Sequence, residues 1–522
     1  MVFLPSLEFI IAFLACLKAG IVAVPVFPPH PARKDTLLMF TKIVQTCGAK
    51  FALTSSSYNH MKKISSLKDA LTRFKSAAAW PENLTWISIE KTPRKKNIII
   101  SALPTTLDPA DLAFLQFTSG STSAPKGVMI SHRNLADNLS KITTELDADV
   151  DTVVVSWLPQ YHDMGLIGSY LGILYCGGSG FYISPLTYLQ RPAIWIEAIS
   201  LYKGTHLQAP NFAFKLTARK YEASKYAAAP GRPKIDLSSV KHIINAAEPV
   251  TEDSIEAFCT VFCPLGLKKD VIYPTYGLAE HTVFVCSGGK QRLTVSKQAL
   301  EVDGVVKEIT TNMGLNLNSE ETSRLIGCGY PARQQVDLQI VNTETFAALA
   351  QDQVGEIWIR SGSKAAGYYQ KPFETRRDFC AMIGDTTAQS EDILNGADVT
   401  DTSRGYLRTG DLGFLHNDEL FVCGRIKDLI IVGGRNYYPQ DIEATAEASD
   451  ARIRPGCSAA FTVDPISGED EIVALVLELR EVPDSQVSDT QDFVMVATSC
   501  KEAIILTPLH ACMHFATKAF ES

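Results

Sequence analysis

"DLAFLQFTSGSTSAPKGVMIS" spans residues 111–131 and joins two apolar runs through a stretch of small, hydroxyl-bearing residues. The run ending at Phe117 reads as a buried strand and "GVMIS" (127–131) as a short second one, so the segment predicts a hairpin. Between the strands stand Thr118, Ser119, Gly120, Ser121 and Thr122, and then Lys126 behind Pro125. Hydroxyls, backbone amides made approachable by glycine, and one ammonium together suit a polyphosphate. The common phosphate loop, G-x-x-x-x-G-K-[ST], needs glycine before its lysine, and Pro125 in that place excludes it. Taken alone, the segment is also readable as an ordinary Ser/Thr/Gly turn.

Outward from this hairpin, strand-like runs alternate with helical stretches: "FALTSS" (51–56), "TVVVSWL" (152–158), "KHIINAAE" (241–248) and "DVIYPTYG" (270–277). That alternation implies an α/β fold with largely parallel sheets. From about residue 330 short strands crowd together ("VDLQIV", "GEIWIR", "ELFVCG"), as expected of a small β-rich subdomain. A boundary is expected at Gly424-Arg425. Beyond it "DLIIV", "SAAFTV" and "IVALVLEL" read as strands of a compact α+β unit, with a helix after Tyr438 favoured by Pro439, Asp441 and Glu443 in its first turn. The expected organisation is therefore a large N-terminal domain over 1–424, of two α/β subdomains and the β-rich one, and a C-terminal α+β domain over 425–522. A ligand that both must touch would sit between them.

Bulk properties narrow the function. At 522 residues, 46% apolar and 20% charged, the chain has the composition of a globular enzyme with ample core. A net charge of −8 and the lack of a long basic stripe argue against nucleic acid; "KTPRKK" (91–96) reads as a solvated loop. The twelve cysteines are scattered without C-x-x-C, as in a reduced, cytoplasmic protein. His510, Cys512 and His514 lack a second ligand pair and are assigned no metal. The apolar start is interrupted by Glu8 and Lys18 and has no basic leader, so it predicts a buried helix ending at Gly20 and a strand "IVAVPVF" (21–27), not a transmembrane segment or signal peptide.

Three more segments share the first loop's character. "YPTYGLAEHT" (273–282) carries Glu280 after a Tyr-Gly pair, "YLRTGDLG" (406–413) puts Asp411 in a glycine turn, and "GRIKDLIIVGGRNYYPQDIE" (424–443) opens the last unit. Each alone could be a turn. In this order, with the hairpin loop, they make the sequence resemble the adenylate-forming superfamily of acyl-CoA synthetases, peptide-synthetase adenylation domains and luciferases, from residue 5 to about 480. Within it the sequence is similar to the fatty-acyl-AMP ligases, through "SWLPQYHDMGLIGSYLGILYCGG" (156–178), "APNFAFKLTARK" (209–220), "YGLAE" and "GRNYYPQDIE". The long interval from Glu280 to "LIGCGYP" (325–331) fits the insertion that marks this branch, expected within 285–325.

The resemblance implies ATP-dependent activation of a fatty acid to acyl-adenylate with release of pyrophosphate. The acyl group would then pass to the phosphopantetheine thiol of an acyl carrier protein, as at the head of a polyketide pathway. It implies that Thr118, Ser119, Gly120, Ser121, Thr122 and Lys126 cradle the β- and γ-phosphates. Tyr276, with Gly277 and Ala279, would hold adenine near Ala246, Ala247 and Glu248. Glu280 would bind Mg²⁺, Asp411 the ribose hydroxyls, and Arg425 would close over the nucleotide. These residue types suit those tasks: a carboxylate is acceptor-only and can take both donors of a vicinal diol, and it offers hard oxygen to a hard cation. His162 would gate the acyl pocket, its alternative being a buried, hydrogen-bonded histidine; 164–181 with Phe212 or Phe214 would line that pocket. Lys427 matches the family's hinge.

Two departures bear on activity. The glycine-flanked lysine usual near the family's C-terminus has no counterpart after Arg480, where Lys501 and Lys518 lack its surroundings, and Ser123 replaces a usual glycine. The abrupt start and this atypical end read as an incomplete version of the enzyme. An acyl-CoA ligase and a nucleotide-binding remnant with little turnover thus stand beside the carrier-protein ligase.

Overall fold

The computed structural model describes residues 1–31, 33–71, 80–91, 107–118, 125–221, 234–309, 321–385, 402, 404–432, 435–450, 452–463 and 472–479. The chain divides into two compact units: residues 1–289, 328–338 and 358–409 form the first, and residues 290–327, 339–357 and those described from 410 onward form the second.

In the first unit, β1 (Phe51–Thr54) and β2 (Thr85–Ser88) pair in parallel. Next, β3 (Leu112–Thr118) and β4 (Lys126–Ser131) form the antiparallel hairpin that their sequence predicts, with Thr118 opposite Lys126. Five parallel strands follow: β5 (Val153–Ser156), β6 (Ser179–Tyr182), β7 (His206–Pro210), β8 (His242–Ala246) and β9 (Ile272–Pro274), ordered β6-β5-β7-β8-β9. Their near-continuous apolar runs are those of a sheet covered on both faces. Helices Ala193–Tyr202, Asn211–Lys220 and Glu252–Phe262 supply Trp195, Phe214, Phe258 and Phe262, all buried, with the Phe258 ring in contact with the other three. The Trp195 indole N–H donates to the Val155 carbonyl at 3.0 Å, anchoring its helix to β5.

The β4 strand runs straight into helix His132–Glu145, whose start is fixed by a capping box: Ser131 Oγ accepts from the Asn134 N–H, and Asn134 Oδ1 accepts from the Ser131 N–H. The Asn134 amide also donates to the Gly362 and Lys364 carbonyls. One short sequence motif thus caps a helix and ties it to a distant segment.

The second unit is richer in antiparallel pairs. β10 (Arg292–Ser296) pairs with β11 (Thr322–Ile326), the two strands lying almost wholly within the 285–325 region expected to hold the insertion. A four-stranded sheet runs β12 (Asp337–Val341), β13 (Gly355–Arg360), β14 (Leu407–His416), β15 (Glu419–Arg425) in that order. β16 (Ile430–Val432) and β17 (Arg435–Tyr437) form a small antiparallel pair, as do the longer β18 (Ile453–Val463) and β19 (Ile472–Leu479). Helix Pro439–Ser449 begins at the expected proline, and its Ile442 and Ala446 join Ile430, Tyr437, Ile453, Ala460, Val473 and Leu475 in one core.

Three sequence expectations are corrected. Among the described strands, parallel pairing is confined to the five-stranded sheet and the β1–β2 pair, while the remaining two-stranded sheets are antiparallel. "IVAVPVF" is not a regular strand: it makes one bridge, Ala23 with Phe114, because Pro25 has no N–H to continue a ladder. Helix Leu7–Lys18 is buried along one face only; Phe9 and Phe13 lie inside while Leu7 and Ile11 are exposed.

Candidate functional site

Parallel strands end on one edge of their sheet, and in open α/β sheets that carboxyl edge is where ligands bind. Four of the sequence-selected segments leave it. After β5 the chain passes Trp157 and Tyr161 to His162; after β7 it enters the Asn211 helix; after β8 come Ala247 and Glu248; after β9 come Tyr276, Gly277, Ala279 and Glu280. Ala247 has φ 68°, a left-handed conformation costly to a residue with a Cβ and of the kind that gathers at functional sites. Beneath this edge Asn245 and Asn211 are buried and hydrogen-bonded, Asn245 Nδ2 donating to Asn211 Oδ1 at 3.2 Å. The Asn245 carbonyl accepts from the Thr275 N–H at 3.0 Å, which sets the start of the Tyr276 loop.

That loop closes on itself. The Tyr276 N–H donates to the Cys286 carbonyl at 2.9 Å, and the Tyr276 carbonyl accepts from Val285 and Cys286. At Gly277 a Cβ would run into the Val283 carbonyl oxygen, so the loop's inner turn requires glycine. Glu280 sits on the single 3₁₀ turn Ala279–His281, partly open to solvent. His281 behind it is fully buried: Nδ1 donates to the Phe284 carbonyl at 2.7 Å and Nε2 accepts from Ser361 Oγ at 2.6 Å. Burial lowers its pKa to about 4, so the ring is neutral and serves as a fixed strut.

Lys126 opens β4, about a quarter exposed, with Nζ 3.6 Å from Asp378 Oδ2 and 4.4 Å from the centre of the Tyr368 ring. The Tyr368 hydroxyl donates to Glu280 Oε1 at 2.9 Å. The structure therefore joins the first candidate cation to the candidate metal carboxylate through one aromatic side chain. His162 is more than half exposed, not buried, and its Nδ1 lies 2.7 Å from Asp163 Oδ1; that carboxylate raises the imidazole pKa. The segment after it, Met164–Leu171, is a π-helical turn, a form frequent at functional sites. Phe214 is fully buried and Phe212 exposed.

In the second unit Asp411 and Arg425 stand directly opposite on β14 and β15, with Arg425 Nε 3.4 Å from Asp411 Oδ1. The carboxylate is mostly covered and the guanidinium mostly exposed, at 12% and 58%. The preceding Gly410 has φ 71°, and its N–H donates to Glu356 Oε1 at 3.1 Å; both Gly410 and Asp411 lie within strand β14, so Asp411 stands in a ladder and not in the glycine turn expected from its sequence. Thr118 closes β3; Ser119, Gly120, Ser121 and Thr122 lie outside the described residues, as do Ser123, most of "KTPRKK", the His510 cluster, Lys501 and Lys518.

Sequence reasoning passed over Tyr368, Asp378 and His281. The signal for the first was "GYYQKP" (367–372), a glycine before two tyrosines; Gly367 takes φ 129° and lies so close to Thr375 that a Cβ would collide with it. Asp378 and His281 carry no pattern of their own.

The sequence matches the family described as AMP-binding enzyme over residues 1–369. The chain belongs to that family. Within the adenylate-forming superfamily, this AMP-binding enzyme is a ligase akin to the fatty-acyl-AMP ligases. It is 36% identical over 510 residues to the medium-chain-fatty-acid–[acyl-carrier-protein] ligase JamA of Moorena producens, an alignment covering 96% of this chain and 78% of that protein. It is 32% identical to a putative fatty-acid–CoA ligase of Mycobacterium leprae, over 96% and 80% of the two chains. The crystal structure of a fatty acyl-adenylate ligase from L. pneumophila in complex with acyl adenylate and pyrophosphate is similar to this AMP-binding enzyme with a TM-score of 0.68 and 34% identity, over 98% of this chain and 82% of that one. Among the described residues no helix is long and apolar enough to cross a membrane.

Proposed function

We propose that this adenylate-forming ligase uses ATP to convert a fatty acid to its acyl-adenylate and then passes the acyl group to the phosphopantetheine thiol of an acyl carrier protein. The fatty carboxylate attacks the α-phosphorus and pyrophosphate leaves. The observation that carries the reading is the linked pair of charges in the first unit, Lys126 and Glu280 on either side of Tyr368. Lys126 holds the leaving phosphates, drawing away from Asp378 as they arrive, and Thr118 adds a hydroxyl donor at the same end of the hairpin. Phosphoryl chemistry of this kind depends on positioned charge more than on covalent participation by the protein.

The residues present fit a Mg²⁺ ion carried in with the nucleotide, because such ions take one or two protein carboxylates plus substrate oxygens, and Glu280 is a partly open carboxylate held on a rigid turn. The ion would neutralise charge on the phosphate oxygens. Tyr276, Gly277 and Ala279, with Ala246, Ala247 and Glu248, form the adenine side at the sheet edge. Asp411 accepts from the ribose hydroxyls, Arg425 covers the nucleotide, and His162 gates the acyl entrance. The part from Arg425 onward is the smaller α+β domain, and the insertion lies within 285–325.

Similarity to a medium-chain-fatty-acid–[acyl-carrier-protein] ligase, 36% identical over 96% of this chain, supports the carrier as acceptor. The relative named a putative CoA ligase favours a second reading with CoA in that place. Incubating the chain with ATP, Mg²⁺ and fatty acids of graded length, with mass-spectrometric detection of acyl-AMP, tests the first step. Absence of acyl-AMP at every length refutes the reading.

A further inference from the structure

We infer that Tyr368 is a positioning residue of this site: its hydroxyl aims the Glu280 carboxylate at the metal and its ring seats the Lys126 ammonium, so that one side chain sets the separation between the two charges. The inference rests on the nucleotide reading of Lys126 and Glu280 given above.

Tyr368 is built in from every side. Its segment is laced to the Lys126 strand: the Met129 N–H donates to the Gly367 carbonyl at 2.9 Å, the Ala366 N–H to the Met129 carbonyl at 3.0 Å and the Tyr369 N–H to the Gly127 carbonyl at 2.8 Å. It is laced equally to the Glu280 turn, where the Ala365 N–H donates to the Glu280 carbonyl at 2.9 Å. The Tyr368 N–H donates to Thr375 Oγ1 at 2.9 Å, and its ring meets Phe379 edge-on with centroids 5.0 Å apart. The residue is buried, at 6% exposure. Backbone and ring are therefore fixed before any ligand arrives, which is the condition for a supporting residue to impose geometry on its neighbours.

The side chain then acts twice. A phenol O–H donated to one carboxylate oxygen at 2.9 Å selects one rotation of the Glu280 carboxyl group. An ammonium 4.4 Å above the ring centroid is drawn to its negative face without the charge being cancelled, as a second carboxylate would cancel it. Asp378, 3.6 Å from Nζ, supplies that cancelling charge in this structure and is itself held by Arg377 at 2.6 and 2.8 Å. Lys126 thus has two seats, and phosphate oxygens compete with the carboxylate for the ammonium while the ring beneath it stays.

Two variants separate the two actions. Tyr368→Phe keeps the ring and removes the hydroxyl; Tyr368→Leu removes both. Binding of ATP and of Mg-ATP is measured by calorimetry in the absence of fatty acid, so that turnover plays no part. Tyr368→Phe is expected to bind metal-free ATP like the parent chain and to lose about 10- to 100-fold of the Mg-ATP preference, the range found for residues that support metal ligands. Tyr368→Leu is expected to weaken both. A steady-state companion measurement should find the half-saturating Mg²⁺ concentration raised in Tyr368→Phe with KM for fatty acid unchanged, a split that general loosening of the fold does not produce. If the parent chain prefers Mg-ATP and Tyr368→Phe keeps that preference in full, the inference is overturned while the nucleotide site stands. If the parent chain shows no preference, the metal role of Glu280 fails and the inference fails with it. Should Tyr368→Leu not fold, Tyr368→Phe alone decides.

Discussion

Glu280 and Lys126 show how little of a candidate site residue's environment is local. Glu280 lies on one 3₁₀ turn whose shape is held by a neutral buried histidine and whose carboxylate is held by Tyr368. Glu280→Gln keeps the shape and removes the anion, so adenylation is expected to fall and to lose its response to Mg²⁺ concentration, followed as pyrophosphate release across a Mg²⁺ titration; a variant with the parent's metal response would assign the ion to another carboxylate. Lys126→Ala deletes the cation proposed to hold the leaving phosphates. Removal of such a donor lowers turnover by roughly 10² to 10³ elsewhere, and the same loss in kcat/KM for ATP is expected here. The side chain is partly exposed at a strand start, so thermal stability should change little. Asp411 and Arg425 were legible as individual residues because each follows a glycine in the sequence, but that they face each other across two strands follows only from the register of β14 and β15.

At the scale of elements, the two edges of the parallel sheet differ. The Tyr276 loop on the carboxyl edge, where the candidate residues lie, depends on Gly277. Gly277→Ala drives a methyl into the Val283 carbonyl and is expected to cost about 1–3 kcal/mol, the usual range for overpacking, read as a lowered urea midpoint with an unchanged slope. At the opposite edge β7 and β8 begin with His206 and His242, ring centroids 4.9 Å apart, and Tyr273 of β9 lies 4.7 Å from His242. His206 accepts from Thr205 Oγ1 at Nδ1 and donates from Nε2 to the Leu146 carbonyl. Burial, and next the neighbouring His206, lower the His242 pKa to about 4, although Asp147 opposes this and Lys241 adds to it. Burial lowers that of His206 as well, opposed by Leu146, Asp147 and Asp149. Both pKa values lie below their unfolded value of 6.5, so the unfolded chain binds more protons and stability falls as pH drops from about 6.5 towards 4. The slope from each histidine is at most about 1.4 kcal/mol per pH unit, less for the part-exposed His242. Urea midpoints measured between pH 4.5 and 7.5 should show this fall, and His242→Gln should flatten it; an unchanged profile would mean that His242 does not titrate across folding.

For the whole molecule the expected product is a carrier-bound acyl group. Supplied with preformed acyl-AMP, the chain should discharge it to a phosphopantetheinylated carrier protein at least tenfold faster than to free CoA, followed by mass spectrometry of both acceptors; faster thioester formation with CoA would move the protein to the acyl-CoA ligases. The sequence by itself determined the α/β class, the β3–β4 hairpin, the helix from Pro439 and the candidate residues Lys126, Glu280, Asp411 and Arg425. Each of these is written locally, in apolar runs of strand length, in proline and glycine at positions with special backbone needs, or in charged residues beside small ones. It misjudged 21–27, where Pro25 lets the chain run extended without a ladder, and overstated the parallel pairing, because an apolar run carries no record of its partner's direction. Tertiary structure alone decided that Tyr368 stands between Lys126 and Glu280, that Asp378 shares the ammonium, and that His281 is a buried strut. Those facts depend on which strands lie side by side, and strand order is set by the packing of faces from distant parts of the chain, which no short stretch of sequence contains.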